Sequence, residues 1–256
     1  MFGHVGRFAL EFSRSTGLGA ILLVQSFLCF RYAFTKRARH EIINQMYVAG
    51  IKSLGVVTVV GLFTGMILAL QTGIELRRFS QEVNIGTAVM VSMLREMGPF
   101  MTGLIMAACV GSAIAAQVGT MVVSEEVAAL EIMSIDPVRF LVMPRMAAMI
   151  VMTPMIAFYT CVMGVLGGGI VGSTQLGVAW TAYLDNATLY AGMKDLFVGM
   201  LKALIFGIII TTVACNEGFD TKGGAVGVGI TTRKTVIVAF LLILVMGYFI
   251  TRWFYI

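Results

Sequence analysis

Long runs without a charged residue constrain this chain more than any other feature of its sequence. Residues 53–74 carry no charge, and neither do the 39 residues from 146 to 184. Each run is long enough for a membrane span, because a helix needs roughly 20 apolar residues to cross the hydrocarbon of a bilayer. Only 12% of the residues are charged, against about 25% in a soluble domain. The chain is therefore predicted to be an integral membrane protein, which excludes a soluble enzyme, a disordered protein and a disulfide scaffold.

The spacing of the charges predicts an all-α fold with five transmembrane helices. The predicted spans lie at about 46–74, 84–120, 138–172, 193–215 and 232–252. Asp136-Pro137 marks the start of the third span, because Asp is favoured at the N-cap and Pro in the first turn. The uncharged run at 146–184 is too long for one span, so a short helix around Trp180 is expected between the third and fourth spans.

The first 43 residues are predicted to differ from the remainder of the chain, 44–256. In residues 1–15 apolar side chains share one helical face and basic ones the other, which indicates a helix lying in the membrane surface. Residues 15–30 are uncharged but too few for a full span, so they predict an elbow that enters the bilayer. Whether 15–34 cross it stays open.

The distribution of Lys and Arg predicts the orientation. Twelve of the 18 basic residues fall in 1–52, 121–145 and 215–234, and cytoplasmic segments are enriched in Lys and Arg. This places the N-terminus in the cytoplasm and, after five spans, the C-terminus on the other side. Arg77 and Arg78 run against the rule.

An acidic segment between the second and third spans could contact a partner. Residues 124–137 contain Glu125, Glu126, Glu131 and Asp136, and no basic residue. A short amphipathic helix over 124–135 is predicted, and such a helix suits insertion into a groove of a soluble protein. The alternative is a solvated helix without a partner.

Three ionisable residues fall inside predicted spans. A charge at the bilayer centre costs about 2.5–3.5 kcal/mol on insertion scales, so Arg95, Glu96 and Lys202 should face a cavity or a partner. Arg95 and Lys202 are expected at similar depths, where they could line a polar pocket for a phosphate-bearing amphiphile. The alternative is a structural salt bridge between spans.

Small residues predict where helices pack closely. The glycines with this spacing are Gly61, Gly65, Gly164, Gly168 and Gly172. Packing within the chain and packing between subunits remain equal alternatives.

Other sites are not expected. The cysteines lie in apolar runs without a CxxC pair, and both histidines are near the N-terminus, so neither a metal site nor a cofactor site is predicted. The glycine-rich segment 218–229 lacks the GxxxxGK[ST] order and is predicted to be a tight turn. If the protein uses ATP, another polypeptide must bind it.

Several motifs resemble those of the MlaE/YrbE permeases. They are Leu94-Arg-Glu-Met-Gly-Pro99, Val110-Gly-Ser-Ala-Ile-Ala-Ala116, Gly119-Thr120, Ser124-Glu-Glu126, Leu130-Glu-Ile-Met-Ser-Ile-Asp-Pro137, Pro144-Arg145, Gly218-Phe-Asp-Thr-Lys-Gly-Gly-Ala-Val-Gly-Val-Gly229 and Thr231-Thr232. The resemblance covers about 45–255. It implies a permease domain over 44–256, the membrane subunit of an ABC transporter that moves phospholipids between the two membranes of diderm bacteria and maintains lipid asymmetry. Such a subunit is not itself an enzyme.

The resemblance also implies a location and a set of partners. The chain would lie in the bacterial inner membrane as a homodimer, with phospholipid as cargo and no nucleic acid. Two ABC ATPase subunits (MlaF-like) would supply the energy. A ring of periplasmic MCE proteins (MlaD-like) and in some members a STAS-domain protein (MlaB-like) complete the assembly.

The family's motifs assign roles to individual residues by resemblance. The coupling helix that contacts the ATPase matches Glu125, Glu126, Glu131, Asp136 and Pro137. The lipid cavity matches Arg95, Glu96 and Lys202. The chain departs from the family in having Ala108-Cys109 for Gly-Arg and Gln117 for Glu, so neutral residues are expected to replace an internal ion pair.

Two other functions remain as alternatives. A secondary transporter or a channel for a small amphiphile would need no ATPase, but it would require acids in ion-relay number or an inverted repeat. Glu96 is the only acid deep in a predicted span. A membrane enzyme would need a histidine or paired carboxylates for acid–base chemistry, and the spans offer neither.

Overall fold

The computed structural model describes residues 17–19, 21–26, 28, 36–189 and 191–255. Throughout these ranges the chain is helical apart from short turns, and no strand occurs in them, which confirms the all-α prediction. The interfacial helix predicted for 1–15 lies outside the described residues. Of the predicted elbow only 17–19, 21–26 and 28 are described, and they are helical.

From residue 38 onward the described chain forms seven helical segments. They are α1 (Ala38–Arg78), α2 (Glu82–Val123), α3 (Glu126–Ile132), α4 (Val138–Thr174), α5 (Trp180–Leu189), α6 (Met193–Phe219) and α7 (Gly224–Tyr255). Five of them, α1, α2, α4, α6 and α7, are long and apolar enough to cross a membrane. The prediction of five transmembrane helices is confirmed, and the chain is a multi-pass membrane protein. The helices α3 and α5 are short, with 7 and 10 residues.

The helices α2 and α4 contain three π-helical turns. Two lie in α2, at Met93–Met97 and Ala107–Gly111, and the third, Val138–Val142, begins α4. Such turns are rare and are frequently found at functional sites. The first of them contains Arg95 and Glu96, so the local backbone of these two residues differs from that of an ordinary span.

The chain divides into two compact units, and each is built from three separate chain segments. The first unit comprises Met1–Ala49, Ala107–Met149 and Ile208–Phe240. The second comprises Gly50–Met106, Ile150–Gly207 and Leu241–Ile256. Each unit therefore contains parts of several spanning helices, and each has its own buried polar contacts.

The core of the second unit is built around a buried tyrosine of α5. Tyr183 is fully buried, and its hydroxyl donates a hydrogen bond of 3.0 Å to the carbonyl oxygen of Val165 in α4. Burial raises the pKa of this hydroxyl, so it remains a hydrogen-bond donor. The surrounding apolar side chains are those of Ala69, Ile85, Val89, Met93, Val165, Val171, Leu176 and Val178. This core fixes α5 against α2 and α4.

The glycines singled out from the sequence lie against neighbours within the second unit. A Cβ atom added at Gly65 would overlap the carbonyl oxygen of Gly164, so α1 and α4 touch through their backbones. An added Cβ would lie 3.2 Å from Met163 Cβ at Gly61, 2.8 Å from the Tyr183 hydroxyl at Gly168 and 3.4 Å from the Tyr183 ring at Gly172. These contacts are all intramolecular.

The helices α1 and α7 expose most of their apolar surface. Only 28% of the most apolar window of α1 and 22% of that of α7 is buried, against 56% for α2. Side chains such as Phe63 of α1 and Trp253 of α7 are therefore available to lipid or to another polypeptide.

Candidate functional site

A cluster of charged residues joins α2, α6 and α7 within the second unit. Arg95 makes a two-point ion pair with Asp195 of α6, with Nε–Oδ1 and Nη2–Oδ2 distances of 2.6 and 3.2 Å. The next residue, Glu96, accepts a hydrogen bond of 2.6 Å from Lys202 Nζ, also on α6. Asp195 and Lys202 are seven residues apart, which is two helical turns or about 10 Å along α6. Arg95 and Glu96 are consecutive in one π turn, and they therefore bind two side chains of α6 that lie two helical turns apart.

The π turn ends at Gly98, and Pro99 comes next in the chain. The Gly98 N–H bonds to Met93 O, and a Cβ at Gly98 would overlap both that oxygen and the Cys161 sulfur. Pro99 has no N–H, so the carbonyl oxygen of Arg95 lacks its α-helical donor. Lys202 Nζ donates to that oxygen at 2.8 Å. The local sequence thus creates an acceptor that the lysine fills.

Lys202 has all three of its donors occupied by the protein. Its side chain is only 1% exposed, and Nζ lies 2.8 Å from Arg95 O, 2.6 Å from Glu96 Oε1 and 2.7 Å from Thr251 Oγ1 of α7. An ammonium group has three N–H bonds to donate. A buried charge is tolerated only when it is paired and hydrogen-bonded, and Lys202 meets both conditions. The lysine consequently links three helices.

Asp195 organises the second ion pair. Its side chain is 5% exposed, and Oδ1 accepts hydrogen bonds of 2.6 Å both from Arg95 Nε and from the hydroxyl of Tyr255 at the end of α7. The guanidinium carbon of Arg95 lies 4.7 Å from the centre of the Tyr255 ring. Arg95 itself is 41% exposed, so one edge of its guanidinium remains accessible.

A cavity of about 250 Å³ opens beside the Glu96–Lys202 pair. It is lined by Glu96, Met97, Phe100, Lys202, Phe206, Ile243, Leu244, Gly247 and Tyr248, all in the second unit. The walls are apolar except for one balanced pair of charges. A complete ligand site usually encloses about 300–1,000 Å³, so this cavity fits a part of an amphiphile.

The structure brings Arg95, Glu96 and Lys202 into one cluster. Glu96 and Lys202 form the salt bridge between spans and also line the cavity, whereas Arg95 is not among the residues that line it. Sequence reasoning missed Asp195, Thr251 and Tyr255. Asp195 lies in the first turn of α6, where an acid is favoured by the helix dipole alone. Neither Thr251 nor Tyr255 carries a charge that would mark it as a partner.

The predicted coupling residues lie in the first unit, on and around α3. The acids Glu125, Glu126, Glu131 and Asp136 are exposed, Pro137 is half-buried, and none of the acids forms an ion pair with another described residue. Ser124 Oγ donates to Glu126 at 2.9 Å, and Asp136 Oδ1 accepts from the Val138 N–H at 2.9 Å before α4 begins.

Apolar side chains accompany these acids at the end of α3. Ile132 is 84% exposed and Met133 60% exposed. A short acidic helix with an exposed apolar tip therefore projects from the chain between α2 and α4.

The position at which the chain departs from the family pattern has a cationic neighbour. Gln117 Oε1 accepts a hydrogen bond of 3.2 Å from Arg145 Nη2, and Arg145 Nη1 donates to Leu141 O at 2.7 Å. Arg145 is buried, and its Nε has no hydrogen-bond partner among the described residues. Cys109 is exposed in the π turn Ala107–Gly111.

The part of the chain that the structure describes contains no group of three or more His, Cys, Asp or Glu that could hold a metal ion.

The five helices that are long and apolar enough to cross a membrane make the chain a polytopic helical membrane protein. The family described as Permease MlaE matches residues 42–253. The chain belongs to this family, which confirms the resemblance found in its motifs.

Individual relatives agree with the family. A probable ABC transporter permease protein of Rickettsia typhi is 38% identical over 249 residues, which cover 97% of this chain and 95% of the relative. The intermembrane phospholipid transport system permease protein MlaE of Haemophilus influenzae is 33% identical over 82% of this chain and 81% of its own length. A probable ABC transporter permease protein of Synechocystis is 32% identical, with 83% and 81% covered. The chain is a permease component, and such components are not enzymes themselves.

Proposed function

We propose that this chain is the membrane subunit of an ATP-driven transporter that moves phospholipid between the inner and outer membranes. The observation that carries the proposal is the apolar cavity with the Glu96–Lys202 pair in its wall. Such a cavity suits a molecule with an acyl chain and a polar group, and the similarity to a phospholipid transport permease names the same kind of cargo. In this function Arg95, Glu96 and Lys202 belong to the lipid site.

The lipid site is completed by a second copy of the chain. The cavity alone is smaller than a usual ligand site, and two of its lining residues, Leu244 and Tyr248, are 42% and 62% exposed on α7. A homodimer contact along α7 would cover this apolar surface and enlarge the enclosed volume. It would also explain why α7 has so little of its surface buried by its own chain.

A separate ATPase (MlaF-like) drives the motion through α3. The exposed acids and the apolar Ile132 and Met133 suit a groove on a soluble protein, since an amphipathic helix binds through its apolar face while charges set the orientation. ATP-driven movement of that protein would shift α3 and the spans on either side of it, α2 and α4. The cavity would then change shape and release the lipid.

The remaining features of the proposal concern location and assembly. The chain lies in the bacterial inner membrane with its N-terminus in the cytoplasm, as the distribution of Lys and Arg favours. Residues 1–43 form the interfacial and elbow region and 44–256 the permease domain. A ring of MCE proteins (MlaD-like) receives or delivers lipid on the periplasmic side, and a STAS-domain protein (MlaB-like) accompanies the ATPase.

A cavity-filling variant tests the lipid site. Gly247 lines the cavity, so Gly247→Leu should fill it and lower the amount of phospholipid that co-purifies with the complex. Gly229→Leu is the matched control, because it lies on the same helix and an added Cβ meets nothing within 4 Å. Equal lipid content in wild type and both variants, measured by quantitative lipid extraction, would contradict the cavity assignment.

Charge reversal tests the coupling helix. Glu125→Lys combined with Glu126→Lys should abolish co-purification of the ATPase, because two attractive charges become repulsive. Glu75→Lys combined with Asp185→Lys makes the same charge change at exposed residues elsewhere and should keep the complex intact. An undiminished complex in the first variant, with normal lipid-stimulated ATP hydrolysis, would refute the role of α3.

A further inference from the structure

We propose that the lipid phosphate is held by Arg95 and Lys194 beside the ring of Tyr255. Lys202, in contrast, has a structural role and links α2, α6 and α7. This inference deepens the proposed function and rests on it. Arg95, Lys194 and Tyr255 together form the cationic rim of this site. The phosphate of the lipid would bind at the rim, and an acyl chain would enter the cavity beside Glu96 and Lys202.

The geometry of the rim brings two cations close together. The guanidinium carbon of Arg95 lies 4.7 Å from the centre of the Tyr255 ring, and Lys194 Nζ lies 5.1 Å from it. The two cationic groups are therefore no more than about 10 Å apart. Like charges at this distance repel each other, and an anion between them would remove the repulsion. The flexible stem of Lys194 lets its ammonium group approach such an anion.

The use of donors distinguishes the rim from Lys202. All three donors of Lys202 are bonded inside the protein, so an anion could bind there only by displacing an existing partner. Lys194 is exposed and forms no ion pair with any residue in the described ranges. Arg95 uses Nε and Nη2 for Asp195 and keeps its Nη1 donors outside that pair.

The local charges agree with this distinction. Glu96 and Lys202 balance each other and Arg95 is paired with Asp195, whereas Lys194 pairs with no acid in the described ranges. The rim therefore keeps one uncompensated positive charge, which matches the charge of a phosphodiester.

The position of the rim suits a lipid headgroup. Lys194 and Asp195 lie in the first turn of α6, and Tyr255 is the last residue of α7. The ends of spanning helices lie near the headgroup layer, whereas Lys202 is about 10 Å further along α6. The apolar residues Phe100 and Phe206 line the cavity beside Lys202. A phospholipid placed with its phosphate at the rim would thus direct an acyl chain toward apolar walls.

Asp195 is a positioning residue for this site. It bonds both the guanidinium of Arg95 and the hydroxyl of Tyr255, so it fixes the ring and one cation relative to each other. Tyr255→Phe removes the hydroxyl but keeps the ring, whereas Tyr255→Leu removes the ring as well. Comparison of the two variants separates the bond to Asp195 from the contact with the cations.

The test compares two fluorescent probes that differ only in the phosphate headgroup. A fluorescent phosphatidylglycerol and the matching diacylglycerol are titrated into the full chain in detergent micelles, and binding is followed by anisotropy. Wild type should prefer the phospholipid probe. Lys194→Gln should reduce that preference about fivefold, as expected for the loss of one exposed charge contact, and should leave diacylglycerol binding unchanged. Lys222→Gln is the matched control, because Lys222 is exposed and lies in the turn between α6 and α7, outside the second unit. This variant should behave as wild type.

The outcomes separate the rim from the proposed function. If Lys194→Gln keeps the full preference while wild type still binds phospholipid, the rim is refuted and the transporter proposal stands. If wild type binds both probes equally, the rim is likewise refuted, and if it binds neither probe, the proposed function fails. Inorganic phosphate at 10 mM should leave the phospholipid probe bound; displacement of the probe would mean that the rim takes free phosphate, which overturns the lipid assignment.

Discussion

Removal of the Lys202 ammonium group should destabilise the protein by about 2 kcal/mol. Each interhelical hydrogen bond in a membrane protein contributes about 0.6 kcal/mol on average, and Lys202→Met removes three of them. The 3–5 kcal/mol cost of breaking a fully buried ion pair is an upper bound, because Glu96 is 43% exposed and can be solvated. Methionine keeps a similar apolar stem, so the change in packing is small.

The free energy of unfolding can be measured by SDS titration in mixed micelles, followed by the fluorescence of the two tryptophans. Lys222→Met is the control, because Lys222 lies 3.8 Å from Asp220 and the side chains of both residues are exposed, by 87% and 71%. That control should lose less than about 1 kcal/mol. Glu96→Gln added to Lys202→Met should restore part of the loss, because it neutralises the acid left without its partner. A Lys202→Met variant as stable as the Lys222→Met control would refute the reasoning.

Two further variants test packing in the second unit. Gly65→Ala should prevent close approach of α1 and α4 and cost about 1–3 kcal/mol or more, whereas Gly55→Ala, where an added Cβ meets nothing within 4 Å, should be neutral or stabilising in the same titration. Tyr183→Phe should cost about 1 kcal/mol, because it removes the buried hydrogen bond to Val165 O, although that oxygen keeps its helical donor. Gly65→Ala with wild-type stability, or Tyr183→Phe with none lost, would contradict the described core.

The spans and their number could be predicted from the sequence, because the hydropathy of many residues in each span adds up. Runs such as 146–184 contain so many uncharged residues that no local error in propensity changes the outcome. The division of that run into α4 and α5 was also predictable, since a single span cannot use 39 residues. The seven-residue helix at Glu126–Ile132 lies within the segment where an acidic helix was expected.

The partners of the intramembrane charges could be predicted only in part. The free-energy cost of a charge inside the membrane indicated that Arg95, Glu96 and Lys202 must face polar groups. The structure places the three residues together. The register was not predictable, because the π turn at Met93–Met97 adds a residue and redirects both side chains toward α6. The hydrogen bond from Tyr255 to Asp195 could not be predicted for a different reason. It forms because the end of α7 contacts the start of α6, and the residue spacing within either helix does not indicate that contact.

Lipid transfer by reconstituted vesicles tests the central claim most directly. The chain is inserted into vesicles alone, or together with its ATPase, and the transfer of fluorescent phospholipid to acceptor particles is recorded with ATP and with a non-hydrolysable analogue. Directional transfer is expected only when the ATPase and hydrolysable ATP are both present. Directional transfer by the chain alone, without nucleotide, would contradict this expectation and favour a transporter that needs no ATPase.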